Sequence, residues 1–180
     1  MRYAISLLLL APFCLAQDKG KAAPEHPYAK AKVGDWVSHK TTMSGSPQTF
    51  TSKQTVTART DDTVTVSMEN KFGDMATPAQ EQKINLKDKF DPLDPPAVNG
   101  VKPVVKKLGE GKEKITVGGK TYDCTWLQYE YTMTIDGKKF KSVVKTWTCK
   151  DVPLGGMVKN EADADGNKSV MELTGHGSKK

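Results

Sequence analysis

The sequence predicts an all-β domain, built as a single curved antiparallel sheet or half-open barrel from hairpins and a meander. Three observations predict this class. Segments rich in threonine and valine recur between short turn signals, as β-strands do. No segment after the N-terminal apolar run shows the periodicity of an amphipathic helix. The dipeptides Gly118-Gly119 and Asp136-Gly137 stand between long alternating segments, where they favour two-residue hairpin loops.

The first sixteen residues have the features of a secretory signal peptide. Arg2 supplies a positive charge, an apolar run follows at residues 5–10, and Cys14-Leu15-Ala16 provides small residues for cleavage after Ala16. The apolar run is too short to span a bilayer as a helix, and no later segment resembles a membrane span. The sequence therefore predicts a signal peptide at 1–16 and export to the periplasm or the extracellular space.

The remaining chain of about 164 residues has the size of one domain. Residues 17–32 lack apolar periodicity and are predicted to be a flexible leader. A single β domain is expected over 33–175, followed by a disordered tail at 176–180. The net charge is +6, with lysines scattered rather than clustered. This pattern favours a soluble surface over a nucleic-acid partner and leaves weak attraction to acidic lipid or polymer open.

The predicted strands lie between successive turn signals. In chain order they cover about 33–43, 49–58, 64–72, 80–86, 112–117, 120–135, 138–150, 157–161 and 168–174. Residues 91–96 are predicted to form a loop, because prolines lack the N–H donors that a central strand needs.

The hairpin after residue 49 has two candidate registers. A two-residue loop at Asp61-Asp62 would place Val64 opposite Arg59. A three-residue loop would instead place Val64 opposite Ala58, and Val56 opposite Val66. The second register is preferred, because it gathers apolar residues on one face of the sheet.

The central hairpin has a register that its turn predicts. If Asp136 and Gly137 form the loop, Ile135 pairs with Lys138, and the ladder continues to Trp126 opposite Trp147. Residues alternate regularly between an apolar and a polar face along both strands, which supports this register independently.

The same register places Cys124 opposite Cys149. At a non-hydrogen-bonded pair the Cα atoms approach to about 4.5 Å, which is within the range of a disulfide. Cleavage after Ala16 would remove Cys14 and leave two cysteines in an exported chain. The sequence therefore predicts a structural disulfide between Cys124 and Cys149 rather than a redox centre, because redox pairs are usually spaced two apart near the start of a helix.

Aromatic side chains on this hairpin are the candidate ligand-binding residues. The apolar face is expected to meet the core or to line a concave cavity, and the tryptophan pair is either cross-strand packing or a platform in a groove. The candidates are Trp126, Trp147, Tyr129, Tyr131, Met133 and Phe140.

An acidic segment near the C-terminus resembles a calcium loop. Glu161, Asp163, Asp165 and Glu172 have nearly the spacing of an EF-hand loop, with Gly166 at its sixth position. The flanks are strand-like rather than helical, so the preferred prediction is a plain hairpin with Asp165-Gly166 at its turn. No metal and no cofactor are predicted, and no catalytic motif is present, so the chain is not expected to be an enzyme.

Three segments resemble a known group of proteins. They are Val33-Gly34-Asp35-Trp36-Val37, residues 119–124, and residues 147–159 with the motif Trp-Thr-Cys-Lys-Asp-Val-Pro-Leu-Gly-Gly-Met-Val-Lys. Their order resembles that in small exported bacterial β-proteins of unassigned function, a group loosely similar to periplasmic lipoprotein carriers of the LolA/LppX type. The resemblance implies a curved antiparallel sheet whose concave side holds acyl chains, without catalytic residues.

The functional expectation is an exported, non-enzymatic binding protein of the bacterial envelope. Its predicted ligand is apolar, such as a lipid or a lipoprotein acyl chain. The alternative is a structural or protein-interaction module of the cell envelope, and a hydrolase is a third reading. The sequence does not determine the ligand, the protein partners or the oligomeric state.

Overall fold

A computed structural model describes residues 25–97, 100–135 and 137–178, and these residues form one antiparallel sheet that does not close into a barrel. The predicted all-β class is therefore confirmed. The described chain contains no helix, and so none that could cross a membrane. The predicted signal peptide, residues 17–24 of the leader, Asp136 of the central turn and the last two residues lie outside the described ranges.

The sheet has ten strands. They are β1 Asp35–Met43, β2 Thr49–Arg59, β3 Thr63–Phe72, β4 Met75–Ala76, β5 Gln80–Asn85, β6 Val104–Val117, β7 Lys120–Ile135, β8 Lys138–Thr148, β9 Met157–Ala164 and β10 Asn167–Ser178. Their spatial order is β4-β3-β2-β1-β10-β9-β8-β7-β6, and β5 pairs with another part of β3. The last strand thus lies between β1 and β9 and joins the two halves of the chain.

The register of the central hairpin is confirmed. Ile135 pairs with Lys138, and the ladder runs without a shift to Trp126 opposite Trp147 and Thr125 opposite Thr148. The β2–β3 hairpin combines the two candidate registers. Arg59 pairs with Val64 next to the turn, but a bulge then restores the preferred pairing of Val56 with Val66. One extra residue thereby returns the valines to a single face.

The buried residues form two clusters. Cluster one joins residues of β1–β3 and β10 to the β6–β7 end, β8, β9 and the loop after β8. Its buried members are Ala31, Val37, Val56, Val64, Val66, Val117, Tyr122, Cys124, Trp147, Cys149, Val152, Leu154, Val158 and Leu173. Cluster two consists of Leu127, Tyr129, Tyr131, Met133 and Val144. Along β7 the buried positions change from even to odd numbers after Cys124, so the two clusters cover opposite faces of that strand.

Ordered contacts extend beyond residues 33–175 at both ends. Before β1, Ala31 is buried in cluster one, and the Arg59 guanidinium donates hydrogen bonds to the carbonyl oxygens of Ala29 and Ala31 at 2.7 and 2.6 Å. At the other end, β10 continues through Ser178, which pairs with Asp35. Long-range contacts of this kind leave no periodic signal in the sequence.

The same pattern of residue pairing occurs in two groups of three neighbouring strands. In the first, Trp36 of β1 pairs with Gly177, Ser38 pairs with Gly175, and Thr174 is the extra residue of a bulge. On the other side of β1, Lys53 of β2 pairs with Ser38. We call β10–β1–β2 the terminal unit.

The second group repeats these relations position for position. Trp126 of β7 pairs with Gly111, Gln128 pairs with Gly109, and Leu108 is the extra residue of a bulge. Lys145 of β8 pairs with Gln128. We call β6–β7–β8 the central unit. The two units follow each other in the same direction across the sheet, although the sequence shows no repeat of fixed period.

Candidate binding site

The predicted ligand-binding residues do not form one site. Tyr129, Tyr131 and Met133 belong to cluster two, whereas Trp126 and Trp147 lie on the opposite face of the hairpin with cluster one. Phe140 is 49% exposed near the hairpin turn. The six side chains are therefore divided among a packed cluster, an aromatic pair on the other face and an exposed tip.

The tyrosine face is packed rather than open. Tyr131 donates a hydrogen bond to the Met133 sulfur at 2.9 Å. Leu93 and Val101, from the connection between β5 and β6, pack against these residues together with Val105 of β6. This covering fills the space that a ligand would need directly above Tyr129, Tyr131 and Met133.

The tryptophan pair forms a charged aromatic array with its neighbours. The Lys145 ammonium lies 4.5 Å from the ring centre of Trp126 and 4.4 Å from that of Trp147. The Trp147 indole N–H donates to Glu113 Oε2 at 2.8 Å, and this hydrogen bond is the main reason that the pKa of Glu113 is lowered. The Trp147 N–H is thus paired with a carboxylate, and the Lys145 ammonium contacts both rings.

The two cysteines are adjacent and buried. The β7–β8 ladder ends at Thr125 opposite Thr148, so Cys124 and Cys149 are the residues directly beyond it. Burial raises the pKa of Cys124 to about 12, with a further contribution from Cys149. Both cysteines are free thiols in this structure, so the structure does not support the predicted disulfide. The raised pKa leaves Cys124 protonated at neutral pH, which makes it a poor nucleophile.

A cavity of about 1220 Å³ lies at the end of β7 and β8 that is remote from their turn. Its walls come from segments far apart in the chain: residues 25–32, Asp35, residues 90–93, strand β6 at 107–114, residues 123–125 and Leu127 of β7, residues 148–156 and the end of β10 at 176–178. The volume exceeds that of most small-molecule sites, which measure about 300–1,000 Å³.

The cavity is lined by both apolar and charged side chains. Phe90, Leu93, Leu127, Val152 and Leu154 provide the apolar part. Lysines and carboxylates both contribute to the lining, in similar numbers, so the lining has no strong net charge. They are Lys30, Lys32, Lys107, Lys112, Lys114 and Lys150, with Glu25, Asp35, Asp91, Glu110, Glu113, Asp123 and Asp151. This combination suits a ligand that has both an apolar and a polar part.

The loop 149–156 gives one wall of the cavity a fixed shape. The Cys149 N–H donates to the Gly156 carbonyl at 2.8 Å, which closes the loop at its base. Leu154 has a positive φ of 53° and a buried side chain, so packing holds it in a conformation that leucine rarely adopts. At Gly156 a Cβ atom would lie 2.4 Å from the Cys149 oxygen, so only glycine fits there.

The acidic segment 161–172 is a plain hairpin. Ala164 pairs with Asn167, and the predicted pairing of Lys159 with Glu172 is present. The Lys159 ammonium lies 2.8 Å from a Glu161 oxygen and 3.7 Å from a Glu172 oxygen. Within the described chain, no group of three or more His, Cys, Asp or Glu side chains is arranged to hold a metal ion. Glu161, Asp163, Asp165 and Glu172 are thus not brought together as a calcium site.

No family model and no curated protein matches this chain. A solved structure from Bacteroides fragilis, described as a candidate exported protein with a YmcC-like fold, aligns with a TM-score of 0.51 at 11% identity, over 82% of this chain and 97% of its own. A structure from Parabacteroides distasonis, described as a candidate lipoprotein, aligns with a TM-score of 0.49 at 11% identity, over 81% and 96%.

The likeness to the Bacteroides fragilis protein shows a shared fold and nothing more, because the identity is so low. Neither of these two proteins is described as a lipoprotein carrier of the LolA/LppX type, so that resemblance is not supported here. The comparison therefore supports the fold and does not identify a ligand.

Sequence reasoning missed the cavity. Its walls come from segments far apart in the chain, and several of them are loops without hydrophobic periodicity. The one available signal was Val152-Pro153-Leu154-Gly155-Gly156, in which apolar residues within a turn sequence predict a loop with buried anchors.

Proposed function

We propose that the chain is an exported, non-enzymatic binding protein of the bacterial envelope, and that the cavity takes an amphiphilic ligand such as a lipid or a lipoprotein acyl chain. The observation that carries this proposal is the cavity itself, whose lining combines apolar and charged side chains. The apolar part of the ligand would contact Leu93, Leu127 and Leu154, and its polar part would meet the charged side chains of the lining.

The proposed site differs from the tyrosine face that the sequence suggested. Residues 90–93 link the two regions, because Leu93 packs against cluster two and also lines the cavity. An apolar chain in the cavity would extend the packed surface of cluster two without displacing it.

Two observations support export. The first sixteen residues have the features of a signal peptide. The Bacteroides fragilis protein with the same fold is itself described as a candidate exported protein.

Native mass spectrometry of protein purified from its own envelope tests the ligand. We expect the wild-type protein to retain lipid mass. Leu93→Asp places a charge in the apolar part of the cavity and should abolish this retention. Leu108→Asp is the matched control, because Leu108 is 45% exposed and lies outside the cavity lining. Wild-type protein without bound mass, or equal retention by the two variants, would contradict the proposal.

The disulfide between Cys124 and Cys149 is part of this proposal, because an exported chain meets oxidants. An exported protein disulfide would accept the two hydrogens and become a dithiol, while the S–S bond forms here. The bond would hold the base of loop 149–156 against β7. Peptide mapping without reduction should find the two cysteine peptides joined and lighter by two hydrogens. Two alkylated thiols in envelope-derived protein would exclude the bond.

The free edge of β6 is the observation that favours an interaction module instead. This strand has 14 residues, and among the described residues it pairs only with β7. Its bulge at Leu108 and its exposed lysines are features that protect sheet edges against the addition of another strand. We therefore rank this function second. A stoichiometric protein partner in the same native spectra would reverse the ranking.

A further inference from the structure

The turn of the central hairpin extends beyond both neighbouring strands. On one side, β6 begins at Val104, which pairs with Thr132. On the other side, the pairing of β8 with β9 ends at Ser142. The last three pairs of the hairpin, 133–140, 134–139 and 135–138, therefore have no neighbouring strand. We call Thr134, Ile135 and residues 137–141 the hairpin tip.

The hairpin tip exposes two large apolar side chains. Ile135 is 36% exposed and Phe140 is 49% exposed, whereas Met133 beside them is buried. Phe140 of β8 pairs with Met133 of β7, so their side chains are on one face of the hairpin. Ile135 lies two residues after Met133 in β7 and is therefore on that same face. Exposed apolar groups of this size on a projecting element are typical of a contact surface.

The same tip is basic. Lys138, Lys139 and Lys141 are all exposed, and Lys141 forms an ion pair with Glu130 at 2.7 Å. Among the described residues, Lys138 and Lys139 form no ion pair, although the charge of Lys139 contributes, after Lys141 and Lys106, to the lowered pKa of Glu130. The sequence has one acidic residue, Asp136, between positions 134 and 141, so lysines outnumber it three to one.

We propose that the hairpin tip binds the surface of an anionic lipid membrane, with Phe140 and Ile135 entering the headgroup region and the lysines contacting lipid phosphates. Apolar side chains flanked by lysines match both parts of such a surface. The outer backbone groups of the unflanked strands need water or headgroup partners, so the tip stays at the interface. This inference does not depend on the cavity or its ligand.

Vesicle flotation with the processed, exported protein tests the proposal. The probes are vesicles of pure phosphatidylcholine and vesicles in which part of it is replaced by phosphatidylglycerol. We expect flotation with the anionic vesicles alone, and loss of flotation when salt screens the lysines.

Two variants and their matched controls locate the contact. Lys138→Glu with Lys139→Glu should weaken partitioning by about 30-fold or more, because each lysine near an anionic surface contributes about one factor of five. Phe140→Ser should weaken it by about fivefold to tenfold through lost apolar burial. Lys71→Glu with Lys83→Glu changes the net charge equally at other exposed sites, and Met75→Ser removes another exposed apolar side chain. Both controls should bind like wild type.

The remaining outcomes overturn the proposal. They are equal binding to neutral vesicles, equal losses in the tip variants and their controls, and no flotation with either vesicle. Circular dichroism of each variant before flotation confirms that a loss of binding does not come from unfolding. Because the tip protrudes from the sheet, these surface substitutions should leave the spectrum unchanged.

Discussion

The terminal unit and the central unit each pack a tryptophan side chain against a neighbouring strand, but the residues around the two tryptophans differ. In each, an indole lies flat across two glycines of the neighbouring strand. A Cβ atom would lie 3.1 Å from Trp36 Nε1 at Gly177 and 2.9 Å from Trp126 Nε1 at Gly111. In each, a lysine lies over the ring, at 5.7 Å for Lys53 and 4.5 Å for Lys145.

The units differ in the residue opposite the tryptophan on the third strand. Thr55 faces Trp36, but Trp147 faces Trp126 and adds its hydrogen bond to Glu113. The comparison separates two roles. The bulge and the two glycines leave the space in which an indole packs, and we call this space the glycine seat. The third strand determines how much the indole contributes to stability.

Removing the two indoles should produce the largest effect. Trp126→Ala should lower the free energy of unfolding by about 3 kcal/mol or more, and Trp36→Ala by about 1 kcal/mol less. The difference arises because Trp126 also supports Trp147 and Lys145. Urea denaturation of both variants measures it. Equal losses would mean that the third strand adds nothing.

Filling the glycine seats should have an intermediate effect. Gly111→Ala should destabilise by about 1–3 kcal/mol, because the indole must move away from a closer contact. Gly177→Ala should be nearly neutral, since a looser contact is offset by the roughly 0.5–1 kcal/mol that alanine gains over glycine in a strand. Thermal unfolding checks both. An equal or larger loss of stability in Gly177→Ala would contradict the predicted order.

Replacing the lysines above the rings should have a smaller effect. Lys145→Met should lower the free energy of unfolding by about 1 kcal/mol, and Lys53→Met by about 0.5 kcal/mol or less. The reason is that Lys145 lies over two rings, and closer to each of them than Lys53 lies to Trp36. Methionine retains most of the apolar stem, so the comparison isolates the charge. Denaturation at low and high salt measures the difference, and an identical cost in both units would refute it.

The smallest expected difference between the units is in how the free energy of unfolding depends on pH. The terminal unit has buried His39 where the central unit has Tyr129, and burial lowers the pKa of His39. The unfolded chain then binds protons more readily, so stability is retained above the ordinary histidine pKa and falls as the pH drops below about 6.5.

His39→Gln tests this pH dependence. Glutamine can still donate to the Met157 carbonyl, which lies 3.0 Å from His39 Nε2. The variant should reduce the slope of stability against pH between 7 and 5 by at most about one proton. His176→Gln is the comparison variant and should reduce the slope less, because burial also lowers the pKa of His176 but His176 is only half-buried. An unchanged slope in His39→Gln would assign the dependence to other groups.

The sequence predicted what depends on neighbours along the chain. The Asp136-Gly137 turn and strict alternation gave the full register of β7 and β8, and the prolines of 91–96 correctly excluded a central strand. The bulges at Thr174 and Leu108 were not predicted, because an extra residue is specified by the strand it faces. The candidate ligand residues were correctly placed on two faces, but the cavity was not foreseen.

The sequence by itself determined the all-β class, most strand positions and the register of the central hairpin. These follow from turn chemistry and a two-residue period, which act over a few residues. The tertiary structure decided which strands meet across the sheet, and so brought Trp36 onto glycines near the opposite end of the chain. It also decided where space remains, since a cavity depends on the packing of distant segments and no local pattern encodes it.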